Sequence, residues 1–230
     1  MATQANYGKV VSILLNNGAN INFQDGHGFS ALEFALQLGL EEVTLTLIKH
    51  GADVKNADWP PLSMAAYYGH VNLVSLLLDN RLSEVNENDT LGWTALHHAA
   101  SNGRSKVVTL LLNNGAEIDV QGDSGESALI FAAKHGFVEV VTILVEAGAD
   151  VSLLDKKEYS ALMYSVELGH GKIAAALLEY GANINRKFRE VFNVDPVYIK
   201  YDGPTIIFLN QIVKIRMYKY FLEIVHDVLN

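Results

Sequence analysis

Apolar residues along this chain cluster at helical spacing rather than alternating as they would in half-buried strands. Val107-Val-Thr-Leu-Leu-Leu112 and Val140-Val-Thr-Ile-Leu-Val145 are apolar across a broad stripe. Such a stripe predicts helices packed on both sides. Upstream of each lies a shorter segment rich in alanine, as at Ala99-Ala100 and Ala132-Ala133. Small side chains there let neighbouring helices approach closely. Polar stretches separate the clusters.

These clusters repeat. Gly18-Ala-Asn-Ile-Asn, Gly51-Ala-Asp-Val-Lys, Gly115-Ala-Glu-Ile-Asp, Gly148-Ala-Asp-Val-Ser and Gly181-Ala-Asn-Ile-Asn are copies of one phrase. A second glycine lies 12 residues before each of the last four phrases, at Gly39, Gly103, Gly136 and Gly169, and Gly69 is the equivalent in a weaker copy. At the N-terminus the slot holds Asn6, the next best residue for a left-handed turn. Steps between these turn positions are 33, 30, 34, 33 and 33 residues. A fixed period of this size means stacked units that bury their apolar faces on one another.

Each unit starts with a hydroxyl residue followed by Ala-Leu: Ser30, Thr94, Ser127 and Ser160. The hydroxyl is an N-cap, which accepts a bond from an orphan N–H at the helix start. The turn glycine ends this first helix and a second helix follows. A polar stretch then leads to Asp25, Asp89, Asp123 or Asp155 and a glycine-containing turn, which predicts a β-hairpin finger.

This grammar of helix, turn, helix and finger resembles the ankyrin repeat. Gly92-Trp-Thr-Ala-Leu-His97 is similar to the family's G-x-T-P-L-H signature. The resemblance implies an all-α repeat solenoid, a stack of helix-turn-helix units with β-hairpin fingers along one side. It covers residues 1–185: a partial unit at 1–24, then full units at about 25–56, 57–88, 89–121, 122–154 and 155–185. Residues 186–230 read as an insertion followed by a degenerate C-terminal capping repeat. The partial first unit leaves open an abbreviated cap or a piece of a longer array.

One unit is irregular. The connection from Gly51 to Leu62 is three residues short, and Trp59-Pro60-Pro61 stands where a hydroxyl would cap. Proline is tolerated at a helix start, so the helix is expected to form with a clipped fingertip before it. The next connection is one residue longer and has Arg81 in the capping-glycine slot.

Composition narrows the function classes. The net charge is −9. Residues 186–230 carry seven basic and five acidic residues, so the repeats hold ten and twenty-one, a net of −11. An acidic surface opposes general nucleic-acid binding. No cysteine is present, which removes disulfides and thiolate metal sites. MATQANYGKV lacks a signal-peptide pattern, and no apolar run approaches the ~20 residues of a membrane-spanning helix. An intracellular, cytoplasmic monomer is expected, with delivery into a host cell if it is a bacterial effector.

The eight histidines do not assemble a site. His97 and His98 are adjacent, so on a helix they point about 100° apart. His97 sits in the signature position, whose role in the family is local hydrogen bonding. His70 and His170 match the family's Gly-His pair. Neither a phosphate loop nor a nucleophile elbow occurs. The acidic pairs Glu41-Glu42 and Glu117/Asp119 fall at surface positions. The reading is a non-enzyme without cofactor or metal.

The resemblance implies a protein or peptide partner, gripped by a concave groove and fingertips. Residues just before the capping position are Phe29, Trp59, Trp93, Glu126 and Tyr159, and pairs before the turn glycine include Leu38, Tyr67-Tyr68 and Lys134-His135. Equivalent positions in packed helices lie ~10 Å apart. Phe29, Leu38, Trp59, Tyr67, Tyr68 and Trp93 are therefore expected to form one patch, since Trp and Tyr are frequent interface anchors. Glu126, Lys134 and His135, with Tyr159 nearby, form a charged rim toward the C-terminal units. The alternative function is a module recruiting a substrate or host target within a larger protein, such as a ubiquitin-ligase adaptor or a secreted bacterial effector. Leu78 followed by Glu84-Val85-Asn86 resembles the site that animal asparagine hydroxylases modify in ankyrin repeats, with turn chemistry as the competing role for Asn86.

Overall fold

The computed structural model describes residues 2–53 and 59–183. Among them are eleven helices: α1 (Ala2–Asn16), α2 (Ala31–Leu38), α3 (Glu41–Lys49), α4 (Pro61–Tyr68), α5 (Val71–Asp79), α6 (Ala95–Ser101), α7 (Ser105–Asn113), α8 (Ala128–His135), α9 (Val138–Glu146), α10 (Ala161–Glu167) and α11 (Gly171–Glu179). First helices α2, α4, α6, α8 and α10 pack in series, second helices α3, α5, α7, α9 and α11 pack in a parallel series, and each pair also packs internally. The core is one continuous cluster through this double row. The fold is an all-α repeat solenoid.

The hydroxyl caps act as expected. Ser30, Ser127 and Ser160 accept the N–H three residues on, and Glu33 returns a bond to the Ser30 N–H. α4 starts at Pro61, with Pro60 at the cap position. Arg81 adopts the left-handed conformation (φ 53°) that glycine supplies elsewhere, and its N–H still bonds Leu78 O at 3.0 Å. The clipped fingertip and the capping segment 186–230 lie outside the described residues.

The turn glycines do two jobs. Gly136 closes α8 at φ 81°, and a Cβ there would sit 2.8 Å from the His170 ring of the next unit. Gly39 meets His70 in the same way, at 2.7 Å. The residue after each turn glycine thus lies across the preceding unit. His70 Nε2 reaches Gln37 O at 2.8 Å, and Arg104 Nε donates to Tyr67 O at 3.0 Å.

Three expectations change in detail. First, α1 runs unbroken through Asn6. A side chain with a Cβ gains less from the left-handed turn than glycine does, and staying helical keeps the hydrogen-bond ladder. Second, the fingers hold no strand among the described residues, only isolated bridges at Gln24↔Ser30 and Leu154↔Ser160. They are too short for a ladder, and in three of them a carboxylate, Asp25, Asp89 or Asp155, organises the turn instead. Third, the finger residue equivalent to Asp25, Asp89 and Asp155 is Gly122, not Asp123. Gly122 N–H donates to Glu126 O at 3.1 Å, matching Asp25 to Phe29, Asp89 to Trp93 and Asp155 to Tyr159.

Candidate protein-binding face

The finger carboxylates set the geometry of this face. Asp89 Oδ1 accepts the N–H groups of Leu91 and Trp93, both at 2.8 Å, which folds the finger and places Trp93 beside the helix start. Asp25 and Asp155 bind the N–H groups two and four residues on in the same way. The second oxygen of Asp89 accepts from His98 Nε2 at 2.8 Å, with both side chains buried. That of Asp155 accepts from the Tyr164 hydroxyl at 2.7 Å. Burial, and then this bond, push the Tyr164 hydroxyl above its usual range.

His98 and Tyr164 each stand nine residues after their aspartate. In the intervening unit the aspartate is replaced by Gly122, and the residue nine on is Phe131, which cannot donate. Where this slot is buried, it carries a donor beside Asp89 and Asp155 and a hydrocarbon ring beside Gly122; at the first finger, Asp25 is followed at the same spacing by Phe34, which is exposed and offers no donor. Sequence reasoning missed His98 and Phe131. Aligning the units on Gly122 would have revealed the pairing.

Rings gather around His98. Trp59 lies 4.4 Å from it between centroids, Trp93 5.4 Å and Tyr67 6.3 Å. Trp59 contacts Tyr67 at 5.0 Å, Tyr67 contacts Tyr68 at 5.0 Å, and Trp93 contacts Phe131 at 4.6 Å. Trp59, Tyr67, Tyr68 and Trp93 thus join, through His98, one aromatic band across two units that reaches Phe131 in a third. All four are partly buried, and Trp59 and Tyr68 pack against the core. Phe29 and Leu38 are more exposed, and Phe29 pairs with Phe34 at 5.6 Å; no ring contact among the described residues links that pair to the band.

The C-terminal rim is a separate group. Lys134 Nζ lies 5.2 Å over the Tyr164 ring, and Tyr159 contacts the same ring at 5.1 Å. His135 is exposed and stacks near Phe131 and Phe137. Glu126 is partly buried, and its backbone oxygen closes the finger.

His97 links two units. Its Nδ1 accepts the Thr94 N–H at 3.0 Å and lies 2.9 Å from the Thr94 hydroxyl, while Nε2 lies 2.9 Å from Val120 O and 3.2 Å from Glu126 O. These partners need the neutral ring with its proton on Nε2. Burial lowers its pKa from 6.5 to about 4.

Asn86 is held by the next unit. Its Oδ1 accepts the Glu117 N–H at 2.9 Å, and its Nδ2 lies 3.3 Å from Glu117 Oε1. Asn22 Oδ1 accepts from Asp53 N–H and Asp119 Oδ1 from Asp150 N–H, each at 2.9 Å and 31 residues apart. The slot requires an acceptor oxygen and works with Asn or Asp. Asn86→Ala is expected to lower stability by about 1 kcal/mol, and Asn86→Asp by clearly less, in urea unfolding. Equal losses would refute the link.

Among the described residues, no group of histidines and carboxylates could hold a metal ion, and no helix is long and apolar enough to cross a membrane.

A family model described as ankyrin repeats (three copies) matches residues 54–122 and 114–188, more than half of the 230. A probable E3 ubiquitin-protein ligase of Oryza sativa subsp. japonica is 31% identical over 143 residues, covering 48% of this chain and 29% of the ligase. A probable 26S proteasome regulatory subunit of Saccharomyces cerevisiae is 35% identical over 105 residues, covering 44% of this chain and 46% of the subunit. The human transient receptor potential cation channel subfamily A member 1 is 39% identical over 100 residues, covering 40% of this chain and 9% of the channel. The matched part spans less than half the length of each relative. Repeat count, signature and family match agree: the chain belongs to the ankyrin-repeat family, whose repeats generally mediate protein–protein interaction and are typically non-enzymatic.

Proposed function

We propose that this chain is an interaction scaffold that binds a partner protein or peptide on the face formed by its fingers and first helices. One observation carries the reading: Trp59, Tyr67, Tyr68 and Trp93 join through His98 in one aromatic band, and each keeps part of its surface in solvent. Rigid aromatic edges on a stable scaffold supply large contact area at low entropic cost. Phe29 and Leu38 extend the face toward the N-terminal unit. Glu126, Lys134, His135 and Tyr159 form the rim, where charge tunes partner choice and association rate.

The test must separate contact from folding. Trp59 and Trp93 pack around buried His98, so alanine there removes scaffold as well as surface. Trp93→Ala is expected to destabilise by roughly 2 kcal/mol, because part of the ring is already in water. Thermal unfolding checks this, and an unchanged midpoint would mean that the ring does not brace the band. Phe29→Ser with Leu38→Ser and Tyr67→Ser is the cleaner variant. It should keep the fold and lose the partner.

A second reading, a recruiting module in a larger protein, is supported by relatives named as E3 ubiquitin-protein ligases, of which the matched region is a minor part. Full-length transcripts decide it. Additional coding sequence for a second domain is expected on this reading, and an isolated 230-codon frame would remove it. Hydroxylation at Asn86 remains a proposal, tested by a 16 Da mass increase on the peptide containing it after incubation with an asparagine hydroxylase; an unchanged mass would contradict it.

A further inference from the structure

Gly122 takes the place that Asp25, Asp89 and Asp155 hold in the other described fingers. The backbone does not call for a glycine there. Gly122 does not adopt the positive φ seen at Gly92 or Gly125, so its conformation suits any residue. The tie between neighbouring fingers does not call for one either. Asp123 N–H donates to Leu91 O at 2.9 Å, and one unit on, Lys156 N–H donates to Ser124 O at 2.9 Å with Asp155 in the slot of Gly122.

What bars a side chain at position 122 is a ring. A Cβ there would lie 2.5 Å from Trp93 Cδ1 and 2.8 Å from Trp93 Nε1, far inside packing distance, and 3.3 Å from Leu91 O. Phe131 meets the same indole, with ring centroids 4.6 Å apart and planes at 65°. Both departures of this unit from the pairing of aspartate and buried donor therefore lie against Trp93. Trp59, whose following finger keeps Asp89, sits differently: its ring lies tilted at 43° to His98, with centroids 4.4 Å apart. The pose of Trp93 is thus set by the next unit as well as by its own finger.

On the reading that the aromatic face is the binding surface, we infer that Gly122 is a positioning residue of that face. Its missing side chain opens the seat in which the Trp93 indole lies, and so fixes how that ring meets a partner. A side chain at position 122 displaces the ring while every residue of the band keeps its identity.

Gly122→Ala is the smallest change that closes the seat. The chain has two tryptophans, so two indole N–H signals report in a 15N–1H spectrum of the 230-residue protein. With Gly122→Ala the Trp93 signal should move and its nuclear Overhauser contact to the Phe131 ring should be lost, while the Trp59 signal stays in place. The melting temperature should fall by at least about 3 °C. In a Trp93→Ala background the same substitution should cost no more than about half as much, because only Leu91 O remains close. Well below both melting temperatures, Gly122→Ala should reduce at least about fivefold the recovery of the protein that Phe29→Ser/Leu38→Ser/Tyr67→Ser loses. An unmoved Trp93 signal, or an equal thermal cost in both backgrounds, would overturn the seat. A displaced Trp93 with full recovery of that protein would overturn the positioning role. If the triple variant loses no protein, the aromatic face fails as the binding surface, and the indole signal and the thermal pair still decide the seat.

Discussion

Asp89→Ala should unfold the centre of the stack more easily than any surface change, lowering stability by about 3–4 kcal/mol in urea. The carboxylate accepts the Leu91 and Trp93 N–H groups and the His98 Nε2 proton. Removal leaves up to three donors without their partner, at about 1–3 kcal/mol for each that stays buried. The Trp93 finger also loses its fold, so the aromatic band should loosen. Adding His98→Phe should recover part of the loss, because that slot then carries a ring with no proton to place, as at Phe131. A double-mutant cycle measures this coupling, expected at about 1–2 kcal/mol. Strict additivity would contradict the pairing of finger acceptor and buried donor.

Acidification should destabilise the protein through His97. Its folded pKa, about 4, lies below the 6.5 of an exposed histidine. The unfolded chain therefore binds the proton more readily between those values. The stabilisation is fully present above pH 6.5 and is lost as pH falls toward 4. At pH 5 the loss is about 2 kcal/mol, rising to about 3 kcal/mol at pH 4. His98, whose pKa burial also lowers, adds in the same direction. The cause is local: a proton on Nδ1 would face the Thr94 N–H that this nitrogen accepts. Urea unfolding at pH 7.5 and 5 checks the slope. His97→Gln should be less stable at pH 7.5 and show a flatter profile. Equal stability of the parent at both pH values would contradict the burial of a neutral His97.

Much of the fold was legible because it rests on local backbone demands. Ser30, Ser127 and Ser160 cap helices as hydroxyls do anywhere, and Arg81 fell in a left-handed slot that the period alone marked. Pro60-Pro61 fitted a helix start for the same reason. What stayed hidden depends on neighbours in space. Asp123 drew the finger assignment one residue away from Gly122, because the slot is defined by a backbone bond to Glu126. His98 read as a spare histidine, although a finger carboxylate and three rings enclose it. Trp59 and Trp93 read as open anchors, yet they also brace the scaffold. The period marked Asn6 as a turn, but a local preference cannot show whether the helix gains by breaking.

On the proposed function, the aromatic face recruits a partner. Quantitative affinity purification from the native cell, comparing the parent chain with Phe29→Ser/Leu38→Ser/Tyr67→Ser, tests it most directly. A partner enriched by the parent and reduced at least about tenfold by the variant is expected, with matched circular dichroism and melting temperature. Equal recovery of every enriched protein by the two chains would contradict it.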